Sequence, residues 1–105
     1  MLVQVNTGRH LNGSEDLNTR VQDLVERKLR RFAERITRVE VHLNDENTPQ
    51  KSGSHDKRCQ IEVRLAGMQP ASVSHHSETH ERALDGAVDK IQHLLSSTLG
   101  KQASR

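Results

Sequence analysis

The apolar residues between Leu17 and Ile36 constrain the fold of this chain most strongly. They recur at steps of three and four residues, the spacing of one face of an α-helix, and the set is Leu17, Val21, Leu24, Val25, Leu29, Phe32 and Ile36. Arg20, Arg27 and Arg31 lie on a line beside that face, because steps of seven and four residues return to nearly the same helical angle. The pattern predicts a long helix, ending near residues 35–37, that docks through its apolar stripe and presents positive charge beside it.

The apolar content is low, which limits the size of the core. Hydrophobic residues make up 31% of the 105 residues, and one Phe with no Trp or Tyr leaves Leu, Val and Ile to fill the core. We expect one domain over residues 1–100 and a frayed tail at 101–105. The single cysteine, Cys59, excludes an intramolecular disulfide and a cysteine-based zinc site. No signal peptide or long apolar run is recognisable, so we expect a cytoplasmic protein without a membrane partner.

Positive charge is concentrated on the predicted helix. The whole chain has a net charge of +2, but seven basic and only three acidic residues lie between Arg20 and Arg38. Such an asymmetry favours a polyanion such as nucleic acid as the partner. With almost no aromatic residues for base stacking, recognition would use phosphates, 2′-hydroxyls and shape, as on structured RNA.

Four stretches alternate between apolar and polar residues and predict β-strands. They are 1–6, 38–43, 57–65 and 70–75. Residues 44–56 contain almost nothing apolar and predict a long loop between two of the strands. The residues expected to point into the core are Val3, Val5, Val39, Val41, Leu43, Cys59, Ile61, Val63, Leu65, Ala71 and Val73.

A second amphipathic helix is predicted near the end of the chain. Ser77 or Thr79 would be its N-cap and Gly100 its end, and Ser14 would cap the first helix. Its apolar face would consist of Leu84, Ala87, Val88, Ile91, Leu94 and Leu95. Both helices would cover the one buried face of the sheet. The predicted fold class is therefore α+β, a two-layer sandwich of order β-α-β-β-β-α with a four-stranded sheet and two helices on one face.

Several local motifs, in this order, resemble the short ribosome hibernation-promoting factor and ribosome-associated inhibitor family. Strand one ends in Val5-Asn6-Thr7-Gly8, and the first helix contains Lys28-Leu29 followed by Phe32. Arg35-Ile36 then leads into the strand 39–43, and the second helix contains the stretch 84–91, which reads LDGAVDKI. Each motif is a common amphipathic pattern, but their order covers almost the whole domain.

The resemblance implies a fold similar to double-stranded-RNA-binding domains and binding to the small ribosomal subunit, in the channel of messenger RNA and transfer RNA. Occupying that channel would repress translation in stationary phase or stress, without a cofactor or a small-molecule substrate. By position, Lys28, Arg31 and Lys90 match basic sites that contact ribosomal RNA in the family. Together with the residues chosen from the charge pattern, the candidate RNA contacts are Arg20, Arg27, Lys28, Arg31, Arg35, Lys57, Arg58 and Lys90.

The second helix departs from the family pattern at two positions. Members often have a Tyr near its start, where this chain has His80-Glu81, and many have an Arg three residues after the helix-two lysine, where His93 stands. Long members of the family carry an extra C-terminal dimerisation domain. This chain ends at Arg105, and we expect it not to pair ribosomes by that route and to bind them as a monomer.

Other chemistries find less support in the sequence. His75, His76 and His80 cluster, but neighbouring strand residues point to opposite faces, so we expect no metal site. No nucleophile elbow or phosphate-binding glycine loop is present, and we expect no enzyme. The basic stripe could be a merely solvated helix face, although its arginines lack acidic residues at comparable angles. The alternative function is a protein-interaction or self-associating module that uses the open sheet face, formed by Arg38, Glu40, His42, Arg58, Gln60, Glu62 and Arg64.

Overall fold

A computed structural model describes residues 1–8, 15–46 and 56–103, with side chains through residue 100. It confirms the predicted α+β class and the β-α-β-β-β-α order, with one additional short 3₁₀ helix. The elements are β1 (Leu2–Thr7), α1 (Glu15–Lys28), the 3₁₀ helix (Arg30–Phe32), β2 (Ile36–Asp45), β3 (Lys57–Leu65), β4 (Ala71–Ser77) and α2 (His80–Ala103).

The strands form one mixed sheet in the order β1-β2-β3-β4. β1 pairs with β2 in parallel, as the intervening helix α1 requires, while the pairs β2–β3 and β3–β4 are antiparallel. The register places Val39 opposite Val63 and Val41 opposite Ile61. Because side chains alternate between the two faces of a strand, this register brings the apolar residues of all four strands to the same face.

The core lies between that face and the two helices. The sheet contributes Val39, Val41, Cys59, Ile61 and Val63, all with no exposed surface. The helical segments cover them with Val21, Val25, Leu29, Phe32, Ala83, Ala87, Val88, Ile91 and Leu95. Branched aliphatic side chains thus fill almost the whole core, as the composition predicted. The predicted inward set of the strands is confirmed, with Val5, Ala71 and Val73 partly buried against the core.

The first helix is shorter than predicted. α1 ends at Lys28, the 3₁₀ helix follows, and Ile36 already begins β2. Backbone bonds from Phe32 N to Leu29 O (2.9 Å) and from Ile36 N to Ala33 O (3.3 Å) replace α-helical ones. The apolar spacing did not reveal this change because a 3₁₀ turn repeats every three residues. Leu29, Phe32 and Ile36 are buried, which confirms that these apolar residues face the core. The prediction that one continuous helix carries them was wrong.

The second helix begins as predicted and ends later. The Thr79 hydroxyl accepts a bond from Arg82 N at 3.1 Å, so Thr79 rather than Ser77 is the cap. Gly100 does not end α2, which continues to Ala103. Leu94 is 37% exposed, so its predicted place on the buried face was wrong.

The remaining boundaries differ by one or two residues. β4 runs two residues further than predicted, to Ser77, and β2 includes Asn44 and Asp45, which the composition had placed in the loop. Glu46 N donates to Asp56 O at 2.7 Å, where the two strands separate. The rest of the predicted loop (47–55), the Ser14 cap and residues 104–105 lie outside the described residues.

Candidate nucleic-acid interface

α1 and α2 run side by side in the same direction and form a groove between them. Three contacts mark its course: Arg20 with Glu81, the Lys28 carbonyl with Gln92, and Arg31 with Ser96. Along the groove, residue numbers increase in the same direction on the α1 side and on the α2 side, so the two helices are parallel. The parallel direction follows from the topology, because the strands that precede the two helices, β1 and β4, run in the same direction and each helix runs back across the same face of the sheet.

The second half of this groove is lined by cations without carboxylates. We call it the basic groove; it encloses about 560 Å³ between Arg27, Lys28, Arg30, Arg31, Gln92, His93 and Ser96. Its four cationic side chains come from the last turn of α1 and from the 3₁₀ helix, and all four residues are exposed. Cations at this position also complement the negative C-terminal end of the α1 dipole. The arrangement suits a phosphate backbone, which needs several cations on one concave surface.

Hydrogen bonds to uncharged groups hold the walls of the basic groove in place. Gln92 Nε2 donates to the Lys28 carbonyl at 2.9 Å, which fixes the end of α1 against α2. The Arg31 guanidinium donates to the Ser96 hydroxyl. Its central carbon also lies 4.6 Å from the centre of the Phe32 ring. Arg31 is therefore oriented by uncharged partners and keeps its full positive charge for a ligand.

The first half of the groove has mixed charge. We call it the mixed groove; it encloses about 360 Å³ and is lined by Arg20, Asp23, Leu24, Arg27, Glu81, Leu84 and Asp85. Arg20 Nη2 lies 2.6 Å from Glu81 Oε1. Arg20 therefore has an acidic partner on α2, whereas the sequence analysis considered only acidic residues at comparable angles on the first helix. The helical angles of α1 alone could not reveal a carboxylate on α2, which approaches only through the tertiary fold.

Two further candidate RNA contacts lie away from the groove. Lys90 is on the opposite side of α2 and donates from Nζ to the Ser74 carbonyl of β4 at 2.9 Å. It covers a backbone acceptor on the edge strand of the sheet, which discourages pairing with another strand. Arg35 follows the 3₁₀ helix, and its Nη2 lies 3.9 Å from the Met68 sulfur.

Lys57 and Arg58 lie at the end of the sheet where β2 and β3 separate. Lys57 Nζ lies 2.9 Å from Asp45 Oδ2 and 3.3 Å from Asp56 Oδ1. The hydrogen bond to Asp45 is the main reason why the pKa of Lys57 is raised. Arg58 Nε is 3.9 Å from Glu46. These two cations face carboxylates, and the structure does not bring them to the basic groove.

Four residues of the basic groove were not among the candidate RNA contacts chosen from the sequence. They are Arg30, Gln92, His93 and Ser96. Arg30 was left out because the sequence analysis followed the line of Arg20, Arg27 and Arg31, and around a continuous helix Arg30 would lie about 60° from Arg27 on the other side of that line. His93 was noted only as standing where many family members have an Arg, and Gln92 and Ser96 gave no signal, because the role of all three depends on the parallel packing against α1.

The open sheet face carries charges that pair with one another. Across the strands, Arg38 lies opposite Arg64 and Glu40 opposite Glu62, which are unfavourable like-charge neighbours. Along each strand, however, Arg38 lies 2.9 Å from Glu40 and Arg64 lies 3.2 Å from Glu62. The face is thus locally neutralised.

The histidines do not converge on one point. His75 lies against Gly86 of α2, whereas His76 Nε2 on the other face of β4 lies 2.7 Å from Glu46 Oε1. The Nδ1 atom of His80 is buried without a hydrogen-bond partner among the described residues. The part of the chain that the structure describes contains no cluster of three His, Cys, Asp or Glu side chains that could hold a metal ion.

Two further observations concern the rest of the described chain. Burial raises the pKa of the Cys59 thiol to about 12, which makes it a core side chain rather than a nucleophile. None of the described helices is long and apolar enough to cross a membrane.

A four-stranded mixed sheet covered by two parallel helices, with a cationic groove between them, defines a small α+β domain whose positive charge is concentrated on one surface. The family model described as Sigma 54 modulation protein / S30EA ribosomal protein matches residues 4–103. The chain belongs to this family, and the resemblance found in the sequence is confirmed. A comparison with curated proteins found no match.

Two solved structures share the fold. One is a ribosomal subunit interface protein from Coxiella burnetii, with 20% sequence identity and a TM-score of 0.68, covering 95% of this chain and 99% of the other. The second is the N-terminal domain of Protein Y from Thermus thermophilus, with 24% identity and a TM-score of 0.66, covering 93% and 99%. At these identities the likeness establishes the fold.

Proposed function

We propose that this protein is a non-catalytic cytoplasmic factor that binds the small ribosomal subunit and represses translation by occupying the channel of messenger RNA and transfer RNA. The basic groove carries this proposal: four cations line one concave surface, and among the residues that the structure describes no carboxylate lines it. Family membership supports a ribosomal partner, and the solved relatives include a protein named for the interface between ribosomal subunits.

Within this proposal, Arg27, Lys28, Arg30 and Arg31 contact the phosphates of ribosomal RNA. Their charge-assisted hydrogen bonds position the domain on folded RNA, and they read no base sequence. Arg20 is a weaker contact because Glu81 already neutralises it. Lys57, Arg58, Arg35 and Lys90 contribute at most at the edges of the contact, because each already engages a protein group.

A protein-interaction function of the open sheet face finds less support. The like-charged rows on that face are satisfied by pairs along their own strands, at 2.9 Å and 3.2 Å. Exposed pairs of this kind are typical of a solvated surface, and each contributes at most about 1 kcal/mol. These observations favour the helices over the sheet as the binding surface.

The test is co-sedimentation of the protein with purified small ribosomal subunits at several salt concentrations. The double variant Arg27→Glu with Arg31→Glu should weaken binding by at least about tenfold, since a hydrogen bond to a charged group contributes about 1.5–3 kcal/mol. It should also lower the slope of log affinity against log salt by about one unit for each phosphate that the variant no longer neutralises.

The matched control is Arg82→Glu, a charge reversal on an exposed arginine of α2 outside both grooves. It should leave binding unchanged, and the thermal midpoint of all variants should stay close to that of the native protein. Absence of sedimentation of the native protein at low salt would overturn the ribosomal function. Equal weakening by the control would show that the helix groove is not the contact surface.

A further inference from the structure

His93 is the one titratable side chain without a permanent charge in the basic groove. Its Nδ1 lies 2.8 Å from the backbone carbonyl of Asp89, one turn earlier in α2. A carbonyl oxygen can only accept a hydrogen bond, so Nδ1 carries the proton. The neutral ring therefore keeps its lone pair on Nε2, and uptake of a second proton converts Nε2 from an acceptor into a cationic donor.

The groups around His93 come from three elements, and the charged side chains that line the groove come from two of them. Arg27 and Lys28 belong to α1, and Arg30 and Arg31 belong to the 3₁₀ helix. On α2 itself, the neighbours in the groove are the uncharged Gln92 and Ser96, while Asp89 offers its backbone carbonyl to the ring. A phosphate attracted by the four cations lies beside the imidazole, and its negative charge favours the protonated ring.

We propose that His93 is a proton-dependent fifth phosphate contact of the basic groove. Because binding and protonation favour each other, RNA binding takes up a proton at this position and tightens as the pH falls towards 6. The neutral ring leaves the four permanent cations to bind alone, so binding continues at alkaline pH with lower affinity. This inference rests on the proposed RNA-binding function of the groove and adds a pH dependence to it.

The experiment measures the affinity for purified small ribosomal subunits at about pH 8 and about pH 6, at fixed ionic strength. The native protein should bind about three- to tenfold more tightly at the lower pH, as one coupled titration allows. His93→Gln carries no side chain that takes up a proton, so its affinity should differ much less between pH 8 and pH 6 than that of the native protein. His93→Arg should bind tightly at both pH values, because its charge is permanent.

A matched control shows whether the pH dependence of binding comes from His93 or from the other histidines and the ribosome. His42→Gln changes a histidine on the open sheet face and should retain the gradient of the native protein. Calorimetry in two buffers of different ionisation enthalpy should count fewer protons taken up on binding by His93→Gln than by the native protein.

The outcomes distinguish the two proposals. If His93→Gln and the native protein show the same pH gradient and the same proton uptake, the role of His93 is overturned while the ribosomal function stands. If no variant binds subunits at either pH at low salt, the proposed function itself is overturned and this inference with it.

Discussion

At the scale of single residues, the fold disfavours the protonated form of His80. This histidine is the first residue of α2, and its buried Nδ1 has no hydrogen-bond partner in the described part of the chain. Burial lowers its pKa from the ordinary value of 6.5, and the charge of Lys57 lowers it further, although Asp45 and Asp56 act in the opposite direction. The folded state therefore prefers the neutral ring.

A loss of stability in mild acid follows from this preference. Because the pKa is lower in the folded than in the unfolded state, the contribution of His80 is present above about pH 6.5 and is lost as the pH falls below it. Thermal unfolding followed by circular dichroism between about pH 8 and pH 5 should show a smaller decrease of the midpoint for His80→Gln than for the native protein. The exchange His42→Gln serves as the control and should keep the decrease of the native protein. An equal decrease in all three proteins would contradict a role for His80.

At the scale of elements, the packing of α2 on β4 depends on a close approach at Gly86. A Cβ atom at this position would overlap the imidazole of His75 on the neighbouring strand. The glycine was visible in the sequence, but only the fold shows what it accommodates. Without a side chain at Gly86, the strand histidine can lie flat against the helix.

The exchange Gly86→Ala tests which of two effects on the free energy of unfolding is larger, the overlap with His75 or the higher helix propensity of alanine. Alanine in a helix interior is favoured over glycine by about 1 kcal/mol, but the overlap with His75 should outweigh that gain and lower the free energy of unfolding by about 1–2 kcal/mol. In a His75→Ala background the same exchange should be neutral or stabilising. Urea unfolding of the four proteins gives the coupling between the two residues directly. Stabilisation by Gly86→Ala in both backgrounds would show that the ring moves aside without cost.

The elements also show what the sequence could and could not predict. The strand Lys57–Leu65 was predicted with the correct first and last residues. Its four buried side chains alternate strictly with more exposed ones, which is the pattern of a strand with one buried face. The end of α1 was missed because Leu29, Phe32 and Ile36 keep helical spacing through a 3₁₀ turn and into a strand. Arg30, which the sequence analysis did not select as an RNA contact, belongs to this 3₁₀ turn and lines the basic groove.

At the scale of the whole molecule, the two helices carry a charge gradient along their common groove. The mixed groove contains Asp23, Glu81 and Asp85, whereas the basic groove contains no carboxylate among its lining residues. The net charge of +2 concealed this separation. Local charge counting found the basic helix, but the position of the acidic end depends on which face of α2 meets α1. A bound RNA should therefore approach with its phosphates towards Arg31 and away from Glu81.

This gradient predicts that removing a carboxylate from the mixed groove strengthens RNA binding. Glu81→Gln frees Arg20 from its ion pair, which is 66% exposed on the arginine side and 73% exposed on the glutamate side. The loss of so exposed a pair should change stability by less than about 1 kcal/mol. The affinity for small ribosomal subunits should rise about two- to fivefold at low salt, because a repulsive charge disappears and a cation becomes available, and the salt dependence should steepen.

Glu62→Gln makes the same change of charge on the open sheet face and should leave the affinity unaltered. Unchanged affinity of Glu81→Gln would mean that bound RNA is confined to the basic groove, whereas an equal increase in both variants would show that only the net charge of the molecule matters.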